Sequence, residues 1–169
     1  RVGVLIGKNG SVKKDLEEKT STSISIDSKE GSVKLEGEDA PLLLRGIEVV
    51  QAVNRGFSPE RAFMLLEDED LLLDVIDLSG LTDSPRQLDR LRGRIIGKDG
   101  RSREQIEHMT ECEISVFGKT VAIIGLPEQI KIARSAIDML LQGLPHEMVF
   151  SFLERKRREM KQDMIDYYY

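Results

Sequence analysis

Tryptophan is absent, cysteine occurs once, and aromatic residues make up 5% of the 169 residues. A single cysteine, Cys112, excludes an internal disulfide framework and any zinc site built from several thiolates. It reads as a small buried residue in the turn before a strand. The scarcity of aromatics excludes base stacking on aromatic platforms as the main way of holding a nucleic acid. Neither an apolar run of membrane length nor a signal peptide is visible, so a soluble, cytoplasmic protein is expected. His108 and His146 are the only histidines. Neither has a metal-ligand neighbour at helical spacing, and no nucleophile–base pair is evident, which argues against an enzyme. No metal and no cofactor are expected.

The stretch that organises the chain is Gly93 to Val116. Ile95 and Ile96 lead into Gly97, Lys98, Asp99 and Gly100; Ile106 and Met109 then recur at helical spacing, and Ile114 and Val116 alternate with polar neighbours. The apolar period drops from helical to extended, which predicts helix, tight glycine turn, helix, strand. A Gly-x-x-Gly turn lets a backbone approach closely, because glycine has no Cβ to hold a phosphate away. The helix that follows turns its free N–H groups towards that phosphate. Arg92, Arg94, Lys98, Arg101 and Arg103 stand against Asp99 alone, a local balance of +4 in a chain whose formal net charge is −5.

The first fourteen residues repeat the pattern. Gly7 and Gly10 flank Lys8 and Asn9, and Arg1, Lys8, Lys13 and Lys14 face no acid, again +4. At an offset of 90, Leu16 pairs with Ile106, Glu17 with Glu107, Thr20 with Thr110, Ile24 with Ile114 and Ser25 with Ser115. This is an internal duplication of a small domain. Each copy continues through a polar turn into a second strand, Val33 to Leu35 or Val121 to Ile124, and then a helix. The first such helix is expected from about Asp39 to Asn54, and the second is opened by Pro127 and closed by Gly143.

Between the copies, Ser58 and Pro59 open a short helix. From Glu60 to Asp77 seven acids accompany Arg61. Consecutive acids point in different directions, so this segment reads as a solvated acidic connector rather than a metal site. Asp74 to Leu78 has the pattern of a strand opening the second domain, after which TDSPRQLDR is expected to loop into the helix ending at Gly97. The first copy has no counterpart of that strand, and residues ahead of Arg1 are expected. Beyond Pro145 a final helix carries Val149, Phe152 and Leu153, then the basic run Arg155 to Arg158.

Both Ile-Gly-Lys-x-Gly turns, each with an apolar helix and an Ile-x-Ile or Ile-x-Val strand behind it, resemble the KH RNA-binding domain, and the element order matches its type I form. The SPERAFMLLEDEDLLLDVIDL connector and the ending ARSAIDMLLQG are similar to the archaeal form of the small-subunit ribosome-assembly family known as Dim or partner-of-Nob. The resemblance implies an α+β fold of two tandem type I KH domains, each a three-stranded antiparallel sheet on three helices, with the first strand of the first domain missing. The boundaries expected are 1–57, a connector 58–73, 74–143, and a helical tail 144–169.

By resemblance, one clamp on single-stranded RNA is formed by Gly7, Lys8, Asn9 and Gly10 with Lys13 and Lys14, the other by Gly97, Lys98, Asp99 and Gly100 with Arg94, Arg101, Arg103 and Lys119. Ile24, Ile26, Ile114 and Val116 are expected to floor the grooves. The partners implied are small-subunit ribosomal RNA near its 3′ end, the Nob endonuclease and pre-ribosomal particles, with the protein acting as a monomer. Two other readings stand beside this one: a protein-interaction scaffold with vestigial grooves, and a KH factor of RNA degradation or translation. Gly3 to Lys8 and Gly93 to Lys98 look superficially like nucleotide phosphate loops. Such a loop requires four residues between its glycines and a Ser or Thr after the lysine. Here there are three, followed by Asn9 or Asp99.

Overall fold

The structure is a computed structural model that describes residues 1–168, so the last residue of the expected tail, Tyr169, lies outside them. The chain divides into two compact units, with the boundary in sequence between Leu73 and Asp74.

In the first unit, α1 (Val2–Ile6) runs through a one-turn 3-10 segment (Lys8–Gly10) into α2 (Ser11–Thr20), followed by β1 (Ser23–Asp27), β2 (Ser32–Glu36) and α3 (Ala40–Asn54). Asp39 caps α3 by accepting the Leu42 N–H at 3.1 Å. β1 and β2 pair antiparallel with Ile24 opposite Leu35 and Ile26 opposite Val33. The segment expected as a connector forms two short helices, α4 (Pro59–Ala62) and α5 (Met64–Glu67), packed on α3. Phe57, Ala62 and Leu65 are fully buried there, while Glu67 to Asp70 are exposed. Ala62 and Leu65 thus help complete the first core, while Glu67 to Asp70 are solvated.

The second unit repeats this plan with an added strand and helix. β3 (Leu72–Asp77) precedes α6 (Pro85–Ile96), the 3-10 turn Lys98–Gly100, α7 (Arg101–Thr110), β4 (Glu113–Phe117), β5 (Thr120–Gly125), α8 (Pro127–Leu141) and α9 (His146–Tyr168). The residues expected to loop between β3 and α6 are in part helical: Ser84 Oγ accepts the Gln87 N–H at 3.4 Å and Pro85 sits at the first helical position. That is the same Ser-Pro start that opens α4, where Ser58 caps Arg61.

The sheet order is β3-β5-β4, with β4 antiparallel to β5. β5 is flanked on both edges, and all of Val121 to Gly125 is buried. In β2, which pairs with β1 alone among the described residues, Val33 and Leu35 are only half-buried. An apolar pocket of about 420 Å³ lined by Val2, Leu5, Val33, Ile47 and Val50 adjoins β2. The tail helix α9 seals the second core: Val149 and Leu153 are buried in one cluster with Ile95, Ile106, Ile137 and Leu140. Among the described residues no helix is long and apolar enough to cross a membrane.

Candidate nucleic-acid interface

The two glycine turns share one backbone conformation. Gly7 has φ 74° and ψ 178°, Asn9 φ 55° and ψ 29°, and Gly10 φ 74° and ψ 14°. Gly97, Asp99 and Gly100 follow at 73° and 179°, 55° and 26°, and 75° and 8°. In each turn the first glycine's carbonyl accepts the second's N–H at 3.3 Å. The left-handed conformation at the third position is one that Asn and Asp tolerate better than other non-glycine residues. Asp99 therefore answers a backbone requirement, and its charge is the cost of meeting it with Asp rather than Asn.

The two glycines of a turn differ in what they allow. A Cβ on Gly7 would lie 2.4 Å from Val12 Cγ2, and one on Gly97 2.5 Å from Ser102 Cβ, so the first glycine lets the following helix close onto the turn. A Cβ on Gly10 would meet nothing within 4 Å, and one on Gly100 only Arg103 Nη2 at 3.8 Å. Close approach by a ligand backbone is therefore a property of the second glycine. Lys8, Asn9, Lys98 and Asp99 are exposed at the tips, as are Lys14, Arg101 and Lys119; Lys13 is half-buried.

Four of the expected contact residues, Arg94, Arg103, Ile24 and Ile114, are engaged within the protein. Arg94 is half-buried, its Nε donating to the Leu140 carbonyl at 2.8 Å and its Nη2 to the Leu144 carbonyl, so it clasps the C-terminal end of α8. Arg1 does the same in the first unit, binding the Val53 carbonyl at 2.6 Å and the Phe57 carbonyl at 3.0 Å. Each guanidinium adds a bond to a carbonyl at a helix end, Val53 or Leu140, that also accepts the N–H of Gly56 or Gly143 at 3.1 Å, and a second bond to the segment just beyond the helix. Arg103 pairs with Glu107 at 2.6 Å, which offsets much of its charge. Ile24 and Ile114 are 3% and 0% exposed and belong to the cores; Ile26 and Val116, two residues on and so on the same strand faces, are half-buried, with Val116 packed against the second core.

Other recurrent residues prove architectural. Glu17 and Glu107 accept the N–H of Ile24 and Ile114 at 3.0 and 2.8 Å, tying helix to strand. Thr20 and Thr110 return their hydroxyls to the carbonyls of Leu16 and Ile106 at 2.6 and 2.7 Å. Arg92, whose Nη1 donates to the Gly118 carbonyl at 3.0 Å, links α6 to the β4–β5 turn.

Comparison with known proteins agrees with this geometry. The profile described as Eukaryotic type KH-domain (KH-domain type I) matches residues 72–158, and that of the KH domain matches residues 1–53. A KH domain-containing protein of Methanocaldococcus jannaschii is 44% identical over 165 residues, 95% of this chain and 72% of the relative. The pre-rRNA-processing protein PNO1 of Candida albicans is 31% identical over 125 residues, 73% of this chain and 45% of its own length. The chain thus spans about half the length of that fungal relative. Among solved structures, a chain of the a/eIF2alpha-aDim2p-rRNA complex from Pyrococcus horikoshii OT3 is similar at TM-score 0.87 and 46% identity, covering 94% of this chain and 89% of that one. With two KH domains, two matching glycine turns and relatives at this level of identity, the chain belongs to the family of KH-domain proteins that includes Dim2p and PNO1.

Proposed function

We propose that this chain binds single-stranded RNA through its two Gly-x-x-Gly turns, and that the RNA is small-subunit ribosomal RNA near its 3′ end during ribosome assembly. The observation that carries the reading is the identical left-handed geometry of the two turns, each with an exposed lysine at its tip and open space over its second glycine. Retention of both in an acidic chain is what a binder of phosphate backbone needs and a protein scaffold does not. The relatives, a pre-rRNA-processing protein and a chain of an rRNA complex, support the choice of RNA. They also favour a binding role over catalysis. Contact with the Nob endonuclease rests on the family resemblance alone, and action as a monomer in the cytoplasm is part of the same proposal.

The test is fluorescence anisotropy with a single-stranded RNA of about ten nucleotides and with its duplex, because KH grooves read splayed bases. The single strand is expected to bind more tightly. Changing Lys8 and Asn9 to Asp, together with Lys98→Asp, should nearly abolish binding, with either turn alone leaving residual affinity. The left-handed Asp99 shows that Asp fits this position of the turn. Tighter binding of the duplex, or unchanged affinity in the folded triple variant, would refute the clamps.

A further inference from the structure

In the second unit a polar cleft of about 470 Å³ opens on the side of the turn that faces α9, where His146 and Phe150 form one wall. Arg90, Arg94, Lys98 and Arg101 line it, and no carboxylate does. Arg94 is committed to the α8 carbonyls, and His146 Nε2 lies 2.9 Å from the Arg94 carbonyl oxygen, so this wall is fixed. The feature that singles the cleft out is Ser102 in the first turn of α7. Ser102 is 7% exposed, and its hydroxyl is buried without a hydrogen-bond partner, which native folds rarely leave unexplained. The fold does not demand a hydroxyl there: Val12 holds the equivalent position of the first unit and packs against Gly7 as Ser102 packs against Gly97. A hydroxyl donor beside the first-turn amides of a ten-residue helix, among cations, has the chemistry of a phosphate seat.

The cleft does not end there. Gln105 also lines a second hollow between α7 and α9, of about 440 Å³, with His108, Arg157, Arg158 and Lys161 around it and Glu154 as its one acid. This path lies on the α9 side of α7, away from the groove side on which Glu107 meets β4. We propose that Ser102, Lys98 and Arg101 seat a backbone phosphate of an RNA strand that has passed the second turn, and that the strand continues between α7 and α9 over Gln105, Arg157 and Lys161. This rests on the RNA-binding reading above and adds a second track to it.

The experiment compares single-stranded RNAs of about eight and about sixteen nucleotides on the full chain across a salt series. Arg157→Glu with Lys161→Glu alters exposed positions, Ser102→Val copies the first unit, Arg155→Glu is a charge control lining neither hollow, and Lys98→Asp reports on the clamp. The double variant is expected to weaken the longer RNA at least about fivefold and to lower its salt slope by about 0.7 per lost phosphate contact, leaving the shorter one within about twofold. Ser102→Val should weaken the longer RNA more than the shorter. Equal effects on both lengths, or a loss matched by Arg155→Glu, would overturn the second track while Lys98→Asp still impairs binding. If Lys98→Asp also changes nothing, the RNA-binding reading itself fails.

Discussion

A Cβ on Gly97 would lie 2.9 Å from Ser102 N as well as 2.5 Å from its Cβ, and the residue's φ of 73° with ψ 179° is a region essentially closed to L side chains. Gly100 needs only the left-handed conformation and faces open space. Gly97→Ala is therefore expected to destabilise the second unit by about 3 kcal/mol and Gly100→Ala by about 1 kcal/mol. Urea titration checks the order. Gly100→Ala should nevertheless lose RNA affinity out of proportion to its stability, since its Cβ would stand where the strand approaches. Equal destabilisation by the two would contradict the division of roles.

Cys112 belongs to this scale too. It is 3% exposed, and burial, partly opposed by its bond to Thr110, pushes its thiol up to about 11 from an ordinary value of 9.0. The folded state thus holds a proton that the unfolded chain releases first. The resulting stability is complete below about pH 9 and is lost as the pH rises through about 11. Alkylation near pH 8, followed by mass spectrometry, should be slow for the native protein and fast in denaturant. Rapid labelling of the folded protein would contradict this burial.

At the scale of elements, α9 decides whether the C-terminal segment is an appendage or part of a domain. It spans 23 residues, yet Val149 and Leu153 are its only buried residues among those described. Both join the cluster formed by α6, α7 and α8. Leu153→Ala should therefore cost about 2 to 5 kcal/mol in the unfolding of the whole second unit, read by urea denaturation. An unchanged midpoint would mean that α9 is dispensable. The element pattern also explains the repeat. Leu16 and Ile106 fill the cores, Glu17 and Glu107 tie α2 and α7 to the next strand, and Thr20 and Thr110 satisfy carbonyls near the helix ends. Most of what recurs along the chain maintains architecture, and only the turn tips are left for a ligand.

For the whole molecule, two similar turns raise the question of which one dominates. Pairing of Arg103 with Glu107 and diversion of Arg94 to α8 leave fewer available cations at the second turn than a count along the sequence implies. Against this, Lys119 in the β4–β5 turn is exposed, whereas the β1–β2 turn carries Asp27 and Glu30 with Lys29, and α9 adds Arg157, Arg158 and Lys161 to the second unit alone. Lys98→Asp is expected to cost more affinity and more salt slope than Lys8→Asp, each neutralised phosphate adding about 0.7 to the single-strand slope. Titration of the two variants across salt decides it, and a larger loss from Lys8→Asp would reverse the ranking.

The duplication, the order of elements, both turns and the helix starts at Asp39 and Ser58 were legible in the residues, because periodicity, caps and glycine spacing are local and each is written within a few positions. The Ser84 start of α6 was equally local and was passed over. Other features depended on partners distant in the chain. Arg94 meets carbonyls 46 and 50 residues away, so a cation that belongs to a basic cluster in sequence becomes a helix clasp in space. Ile24 and Ile114 alternate as groove residues would, but alternation cannot say which face of a strand is covered, and packing puts both inside. Apolar residues of the connector and the tail joined the two cores for the same reason. The chain alone therefore determined which elements form and where the turns lie, since those follow from short-range sterics and hydrogen bonding. Only the tertiary structure decided which charges remain available to a ligand and which hydroxyl was left without a partner, since burial and pairing depend on residues that the sequence keeps far apart.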